Sequence, residues 1–408
     1  MNSPHTNEPE AVRPVRPSVG GLATGVGSLP HPDATEGSRI VLGELPDLPF
    51  LPELPGRGPH ASMLGRGVAL LPGIDADLTT AGWRIGAGSG LEQRRAVETL
   101  ASDLDAFEAV ATVPGPDTDA ARIRPRLVKT QVVGPLTLAG GLELPSGQSV
   151  VTDPGALRDV AQSLAEGIRL HLAELARRLD VPVLLQLDEP GLPAVLTGAI
   201  RRPSGLGKYP AVATEQATEL LAEVLTSTRV LDGIGLSGTD GIGLSGTDGG
   251  GLSGTDGGKH ERPVRAVVHC CADWVPVRLL LDAGADAIGF DLGLVTVSQI
   301  DEYALAVETG AALFVGAIPA LRPADDAGGA ELAEARPGAG STKGAVTGPV
   351  RRSTASRILD WWGRLGFDEE LAARRIVVTT TCGSAGADPD WAVRALTAAR
   401  RTAHQLVS

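Results

Sequence analysis

The sequence has little cysteine, no long apolar run and a shortage of positive charge, and each shortage excludes a class of protein. Three cysteines in 408 residues cannot build the disulfide framework of a small secreted domain. Each is therefore expected to be a buried apolar side chain, a nucleophile or a metal ligand. No run of about 18 apolar residues occurs, so the sequence predicts no membrane-spanning helix.

Acidic residues outnumber basic ones, with 49 Asp and Glu against 36 Lys and Arg and a net charge of −13. This charge repels phosphate backbones and anionic lipid headgroups, so we expect neither a nucleic acid nor a membrane as partner. The first 18 residues are polar and proline-rich, without the apolar stretch of a signal peptide. A cytoplasmic location is predicted.

Hydrophobic residues make up 42% of the chain, which is enough for a large core. Residues 1–20 lack periodicity and are predicted to form a disordered tail. Beyond them, short β-branched runs alternate with helical patterns, as in proteins with a parallel sheet. The predicted strands are residues 22–26, 48–51, 127–133, 182–187, 264–269, 287–290, 312–317 and 375–381.

Helical patterns follow these runs, and Asp-Pro pairs at 153–154 and 388–389 indicate two helix starts. Eight strand–helix units predict the α/β class, as a single (β/α)8 TIM barrel over residues 21–408 with long loop insertions. The predicted helices are residues 33–42, 92–111, 154–178, 213–231, 273–282, 298–309, 353–365 and 389–405.

Three insertions interrupt the pattern. Gly-rich connections are expected at 57–90 and 322–350, and a low-complexity insert at 233–258 carries the octapeptide GIGLSGTD in tandem. The repeat contains a GxGxxG pattern, but no strand leads into it and no helix follows, so a flexible loop is favoured over a dinucleotide site.

Candidate metal ligands lie at three predicted strand ends. Side chains alternate faces along a strand, so His269 and Cys271 point the same way and Cys270 points into the core. Asp291 and Cys382 follow the sixth and eighth strands, at the same mouth of a barrel. Alone, the His-Cys-Cys run is typical of buried core residues. One nitrogen, two sulfurs and one oxygen together predict a zinc site.

These residues and several further segments resemble the C-terminal catalytic barrel of the cobalamin-independent methionine synthases, over roughly residue 21 to the end. His269-x-Cys271 is similar to the family's first two zinc ligands, and Cys382-Gly383 to its last. The other similar segments, in matching order, are Gly25-Val26-Gly27-Ser28-Leu29-Pro30, Gly134-Pro135-Leu136-Thr137 and Gln186-Leu187-Asp188-Glu189-Pro190.

The resemblance implies a zinc-dependent methyltransferase that methylates the thiol of L-homocysteine to form methionine. In that family the Gly-Ser segment and the strand-four aspartate hold the amino acid part of homocysteine. Gly27, Ser28 and Asp188 inherit these roles, with Asp188 expected to be the catalytic residue, and Glu53 matches a family glutamate near the substrate.

The sequence departs from that family in three respects. Asp291 stands where the third zinc ligand is usually glutamate, and residues 316–320 lack the histidine proposed to donate a proton to a folate leaving group. The long N-terminal half of full-length members is expected to be absent. The methyl donor therefore stays open between 5-methyltetrahydrofolate and a methylated corrinoid, whose cobalt needs no proton.

Two other functions remain open. The related uroporphyrinogen decarboxylase-like barrels include zinc enzymes that transfer a methyl group from a corrinoid to a thiol that is not an amino acid. A zinc- or homocysteine-binding protein without catalysis is the third possibility, and the missing proton donor favours it.

Overall fold

A computed structural model describes residues 21–88, 90–112, 125–202, 204–228, 264–324 and 353–408. The predicted tail, the repeat insert and most of 322–350 lie outside the described residues. Within these ranges the helices and strands are, in chain order, α1 (Ala34–Glu44), α2 (Met63–Ala69), β1 (Ala76–Thr79), β2 (Gly82–Ile85), α3 (Leu91–Ala111), β3 (Val128–Val133), α4 (Pro135–Gly141), β4 (Leu142–Glu143), α5 (Pro154–Leu179), β5 (Val183–Asp188), α6 (Leu192–Leu196), α7 (Thr214–Ser227), β6 (Ala266–His269), α8 (Val277–Asp282), β7 (Ala287–Asp291), α9 (Ile300–Glu308), β8 (Ala312–Ile318), α10 (Thr354–Arg364), α11 (Glu369–Arg375), β9 (Ile376–Thr380) and α12 (Pro389–Leu406).

Six strands form one parallel sheet, in the order β3, β5, β6, β7, β8 and β9. They coincide with six of the eight predicted runs, so the α/β class is confirmed. Every residue of β3 and β8 is buried, because helices and the enclosed core cover both faces of the sheet. Burial on both faces explains why β8 appears in the sequence as a continuous rather than an alternating apolar run. β3 is buried too, although it carries Lys129, Thr130 and Gln131.

The two predicted N-terminal strands are isolated bridges rather than strands. Ala23 pairs with Val378 of β9, Phe50 pairs with Lys129 of β3, and Ser28 pairs with Glu53. The ladder stays short because prolines at 49 and 52 have no N–H to donate and Gly27 has a positive φ of 154°. The structure thus contains a six-stranded parallel sheet, consistent with part of a TIM-like barrel, where the sequence predicts a complete one.

The two faces of β6 show how the strand presents the site. Val267 packs in a small cluster on the enclosed face, which contains Leu48, Leu127, Leu184, Val264, Ala287, Ala312, Phe314 and Val377 as well. Val268 and Cys270 instead join the large core beneath the helices, as predicted for Cys270. Alternation therefore places His269 and Cys271 above the small cluster, at the carboxyl end of the strand.

Each of the eight predicted helices has a counterpart that starts and ends within a few residues of it, whereas α2, α4, α6 and α11 were not predicted. Asp153 accepts from the backbone N–H groups of Gly155 and Ala156, and Asp388 accepts from that of Trp391, so both predicted caps form. None of the helices in the described ranges combines the length and apolar character needed to cross a bilayer.

The connection at 57–90 has more structure than its glycine content predicts. It contains α2, which Ser62 caps, and the antiparallel pair β1 and β2, which β4 extends into a three-stranded sheet. Its strands have four residues each, too few for a clear sequence period. This insertion matters for the site because α2 brings Arg66 to Glu53.

Candidate functional site

A cavity of about 210 Å³ opens at the carboxyl ends of β5 and β6. Pockets for drug-sized ligands are roughly 300–1,000 Å³, so this one suits a smaller molecule. Seven of the eight residues proposed from the sequence line it, namely Gly27, Ser28, Glu53, Asp188, His269, Cys271 and Cys382.

Two thiols meet at this cavity from distant parts of the chain. The Sγ atoms of Cys271 and Cys382 lie 3.5 Å apart, well beyond the roughly 2.05 Å of a disulfide. The hydrogen bond between the two sulfurs, in which either atom could be the donor, lowers the pKa of Cys382 to about 6. The same bond and burial raise the pKa of Cys271. The pair therefore gives up its first proton more readily than its second.

Only one of the two ring nitrogens of His269 has a hydrogen-bond partner among the described residues. Its Nδ1 lies 2.8 Å from Oδ1 of Asp188, and both side chains are buried. Nε2 is buried without a hydrogen-bond partner among the described residues. An unpaired buried ring nitrogen at a cavity is a free ligand position.

Gln186 ties Asp188 to the segment that precedes Gly27. Its Nε2 donates to the Val26 carbonyl at 2.7 Å and to Oδ1 of Asp188 at 2.8 Å. Asp188 and His269 are register partners on adjacent parallel strands, so their side chains leave the sheet on the same face. The carboxylate, imidazole and Gly-Ser segment thus belong to one buried network.

Glu53 adds a second carboxylate to the cavity. Its Oε1 lies 3.3 Å from Nε of Arg66, an ion pair and not a hydrogen bond, since that nitrogen has no hydrogen-bond partner among the described residues. Arg66 also binds Asp103, 2.9 Å away. Burial raises the pKa of Glu53, while the Arg66 charge lowers it and nearby Asp188 raises it further.

Ser28 packs against the loop that follows Cys382. Its carbonyl accepts from the Ser384 N–H at 2.9 Å, and its hydroxyl accepts from the Ala385 N–H at 3.3 Å. A Cβ added to Gly383 would lie 2.2 Å from Ser28 Oγ. Glycine after Cys382 is therefore what lets Ser28 reach the cavity.

Asp291 does not line the cavity. It follows β7, is partly exposed, and its Oδ1 accepts from the Gly293 N–H at 2.8 Å. No three His, Cys, Asp or Glu side chains in the described ranges are already gathered as a metal-holding group. The structure brings the two thiols together and His269 to the same cavity, and it leaves Asp291 outside.

The donors at the cavity nevertheless fit zinc. Two thiolates about 2.3 Å from a tetrahedral zinc ion stand about 3.8 Å apart, close to the observed 3.5 Å between Cys271 and Cys382. Thiolate and imidazole are the ligands that zinc prefers. The unpartnered Nε2 of His269 supplies the third donor.

No protein-family model matches the chain, and no curated protein matches it. Among solved structures, the chain is similar to a B12-independent methionine synthase from Shewanella sp. W3-18-1 in complex with selenomethionine. The identity is 13% and the TM-score 0.48, over 94% of this chain and 97% of that chain. A likeness this weak assigns neither a family nor an activity.

Lys129 lies beneath the site, fully buried inside the sheet. Its Nζ donates to the Val26 carbonyl at 3.1 Å and to Gln131 Oε1 at 3.2 Å. Burial lowers the pKa of Lys129 to about 7, against the opposing charges of Asp188 and Glu53. In the sequence, the signal of this network is Lys and Gln two residues apart in a predicted strand, where their side chains share one face.

Replacing Lys129 with methionine should change how stability depends on pH. Between pH 7 and about 10 the unfolded chain keeps the Lys129 proton that the folded protein has lost, so wild-type stability rises with pH by up to about 1.4 kcal/mol per unit. Lys129→Met lacks this rise. Urea unfolding at pH 7, 8 and 9 measures the difference, and a gap between the two proteins that stays constant with pH would contradict the burial of this amine.

Glu189 is next to Asp188 in the chain but has a structural role. Its carboxylate accepts from the backbone N–H groups of Leu136 and Thr137 at 2.9 and 2.8 Å, and from the Thr137 hydroxyl at 2.6 Å. Glu189 directly follows β5, so it caps α4 from a different strand–helix unit. Burial raises the pKa of Glu189 to about 7. A Cβ at Gly134 would overlap this carboxylate. The glycine of the Gly134–Thr137 segment therefore leaves the space that the Glu189 carboxylate occupies.

Glu189→Ala should destabilise the fold by about 3 kcal/mol or more, because it leaves buried N–H donors without acceptors. Glu166→Ala is the control: that carboxylate pairs with Arg169 on the exposed face of α5, and its loss should leave stability nearly unchanged. Denaturant unfolding measures both. Equal, small losses would show that Glu189 does not cap α4.

Proposed function

We propose that this protein is a zinc-dependent methyltransferase that transfers a methyl group to the thiol of L-homocysteine and forms methionine. The main support is one observation: two thiols, an imidazole with a free nitrogen and two carboxylates surround a single small cavity. Donors for a metal and partners for an amino acid are thus available within reach of one ligand.

His269, Cys271 and Cys382 would hold the zinc ion, and three protein ligands leave a position for an incoming thiol. When bound, zinc supplies the charge that converts a coordinated thiol to a thiolate at neutral pH. Asp291 was the fourth ligand expected from the sequence. Because it caps the turn at Gly293, we assign it no part in holding the metal before substrate binds.

The other residues that line the cavity suit the amino acid part of homocysteine. Asp188 and Glu53 present carboxylates for an α-ammonium group. The Ser28 hydroxyl and the Gly27 segment provide polar groups for an α-carboxylate. A thiol without an ammonium group would offer these two carboxylates no cationic partner, which favours homocysteine over thiols that are not amino acids.

The complete (β/α)8 barrel is part of the proposal. Backbone hydrogen bonds run from β9 to residue 24, from residue 27 to Glu53, and from Leu51 to Lys129 of β3. These bonds support the proposal that the two N-terminal segments take the places of the first and second barrel strands. This arrangement would place every site residue at the carboxyl mouth, where barrels carry their chemistry.

The methyl donor is tested by supplying both candidates. Methylfolate needs a proton on its leaving nitrogen, and residues 316–320 contain no histidine to give it, whereas a methylated corrinoid needs none. We expect methionine from homocysteine with at least one donor. Bound zinc and homocysteine without turnover would indicate a binding protein, and equal methylation of a thiol sulfonate would indicate the corrinoid-to-thiol class.

A further inference from the structure

In the buried pair of Asp188 and His269, a single carboxylate oxygen of Asp188 accepts both hydrogen bonds from neighbouring side chains. Oδ1 of Asp188 lies 2.8 Å from His269 Nδ1 and 2.8 Å from Gln186 Nε2. Within the described part of the chain, both side-chain hydrogen bonds of Asp188 go to Oδ1 and none goes to Oδ2. That oxygen belongs to a residue that lines the cavity.

The orientation of Gln186 follows from its two partners. Its Nε2 faces the Val26 carbonyl as well as Asp188, and both are acceptors, so this atom is the amide nitrogen. With Oδ1 accepting from Gln186, an ionised Asp188 accepts from His269 too. The imidazole proton is then on Nδ1, and the lone pair is on the unpartnered Nε2.

We propose that Gln186 and Asp188 are positioning residues for the metal, and that Asp188 couples metal binding to substrate binding. Oδ1 fixes the tautomer and direction of His269 so that Nε2 faces the ion. Oδ2 remains for the α-ammonium of the substrate. The proposal rests on the proposed function. It gives the Asp188 carboxylate a part in both the metal site and the substrate site.

Zinc affinity measured without homocysteine tests this assignment, by competition with a coloured chelator. Asp188→Ala should weaken zinc binding about 10–100-fold, the usual effect of removing a carboxylate that orients a metal-bound histidine. Gln186→Leu, which keeps both the carboxylate and the imidazole, should weaken zinc binding less, by several-fold. Glu53→Ala is the matched control, because Glu53 lines the same cavity and pairs with Arg66 rather than His269.

The expected result is weaker zinc binding in Asp188→Ala and Gln186→Leu, with wild-type zinc affinity in Glu53→Ala. Unchanged zinc affinity in Asp188→Ala and Gln186→Leu would overturn the inference and leave the proposed function standing. An equal loss in all three variants would also overturn it, since cavity charge alone would then explain the effect. A wild-type protein that binds no zinc would overturn the proposed function itself.

Discussion

Replacing Cys382 with serine is expected to abolish bound zinc and, with it, methyl transfer to homocysteine. A serine hydroxyl stays protonated at neutral pH and replaces a thiolate ligand poorly. The remaining thiol of Cys271 also loses the neighbour that lies 3.5 Å away. We expect zinc affinity to fall about 100-fold or more in Cys382→Ser, and equally in Cys271→Ser. Zinc content per chain after dialysis measures the loss.

Cys270→Ala is the matched control. Cys270 directly precedes Cys271 but is fully buried on the helix side of the sheet, and burial raises its pKa to about 12. Its replacement should cost stability and leave zinc content unchanged. Stoichiometric zinc in both Cys271→Ser and Cys382→Ser would contradict the ligand assignment.

Gly383→Ala is expected to raise the KM for homocysteine about 10-fold or more while zinc remains bound. The new Cβ would lie 2.2 Å from Ser28 Oγ, closer than side-chain atoms approach, so Ser28 must move away from the cavity. Ser28 is the hydroxyl assigned to the substrate carboxylate. Steady-state kinetics together with zinc content separate the loss of substrate binding from the loss of metal.

Gly386→Ala in the same loop is the comparison, because its nearest neighbour would be Leu321 Cδ2 at an ordinary 3.5 Å. It should leave the KM for homocysteine unchanged. If Gly383→Ala also left the KM for homocysteine unchanged, the substrate carboxylate would have to bind elsewhere.

The six central strands were predictable because burial on both faces makes most of them short, largely apolar runs between helical patterns. The N-terminal pairing was overestimated, since prolines and Gly27 limit each segment to an isolated bridge. The elements of 57–90 went unrecognised because four-residue strands and a seven-residue helix are shorter than the windows in which periodicity is visible.

The residues of the site likewise fall into those that local sequence predicts and those that it does not. His269, Cys271 and Cys382 followed from strand alternation and from their place at strand ends, which local sequence determines. Arg66, Gln186 and Lys129 support the site through contacts with residues far away in the chain. Such contacts depend on tertiary packing, so spacing along the sequence does not reveal them. Asp291 lies at the predicted strand end, yet its side chain turns to cap the next backbone turn.

X-ray absorption at the zinc edge tests the central claim most directly, with and without homocysteine. We expect about one zinc ion per chain with two sulfur ligands near 2.3 Å and at least one imidazole nitrogen, and one further sulfur when homocysteine is added. A protein that binds zinc without sulfur ligands, or whose sulfur count stays unchanged by homocysteine, would contradict it.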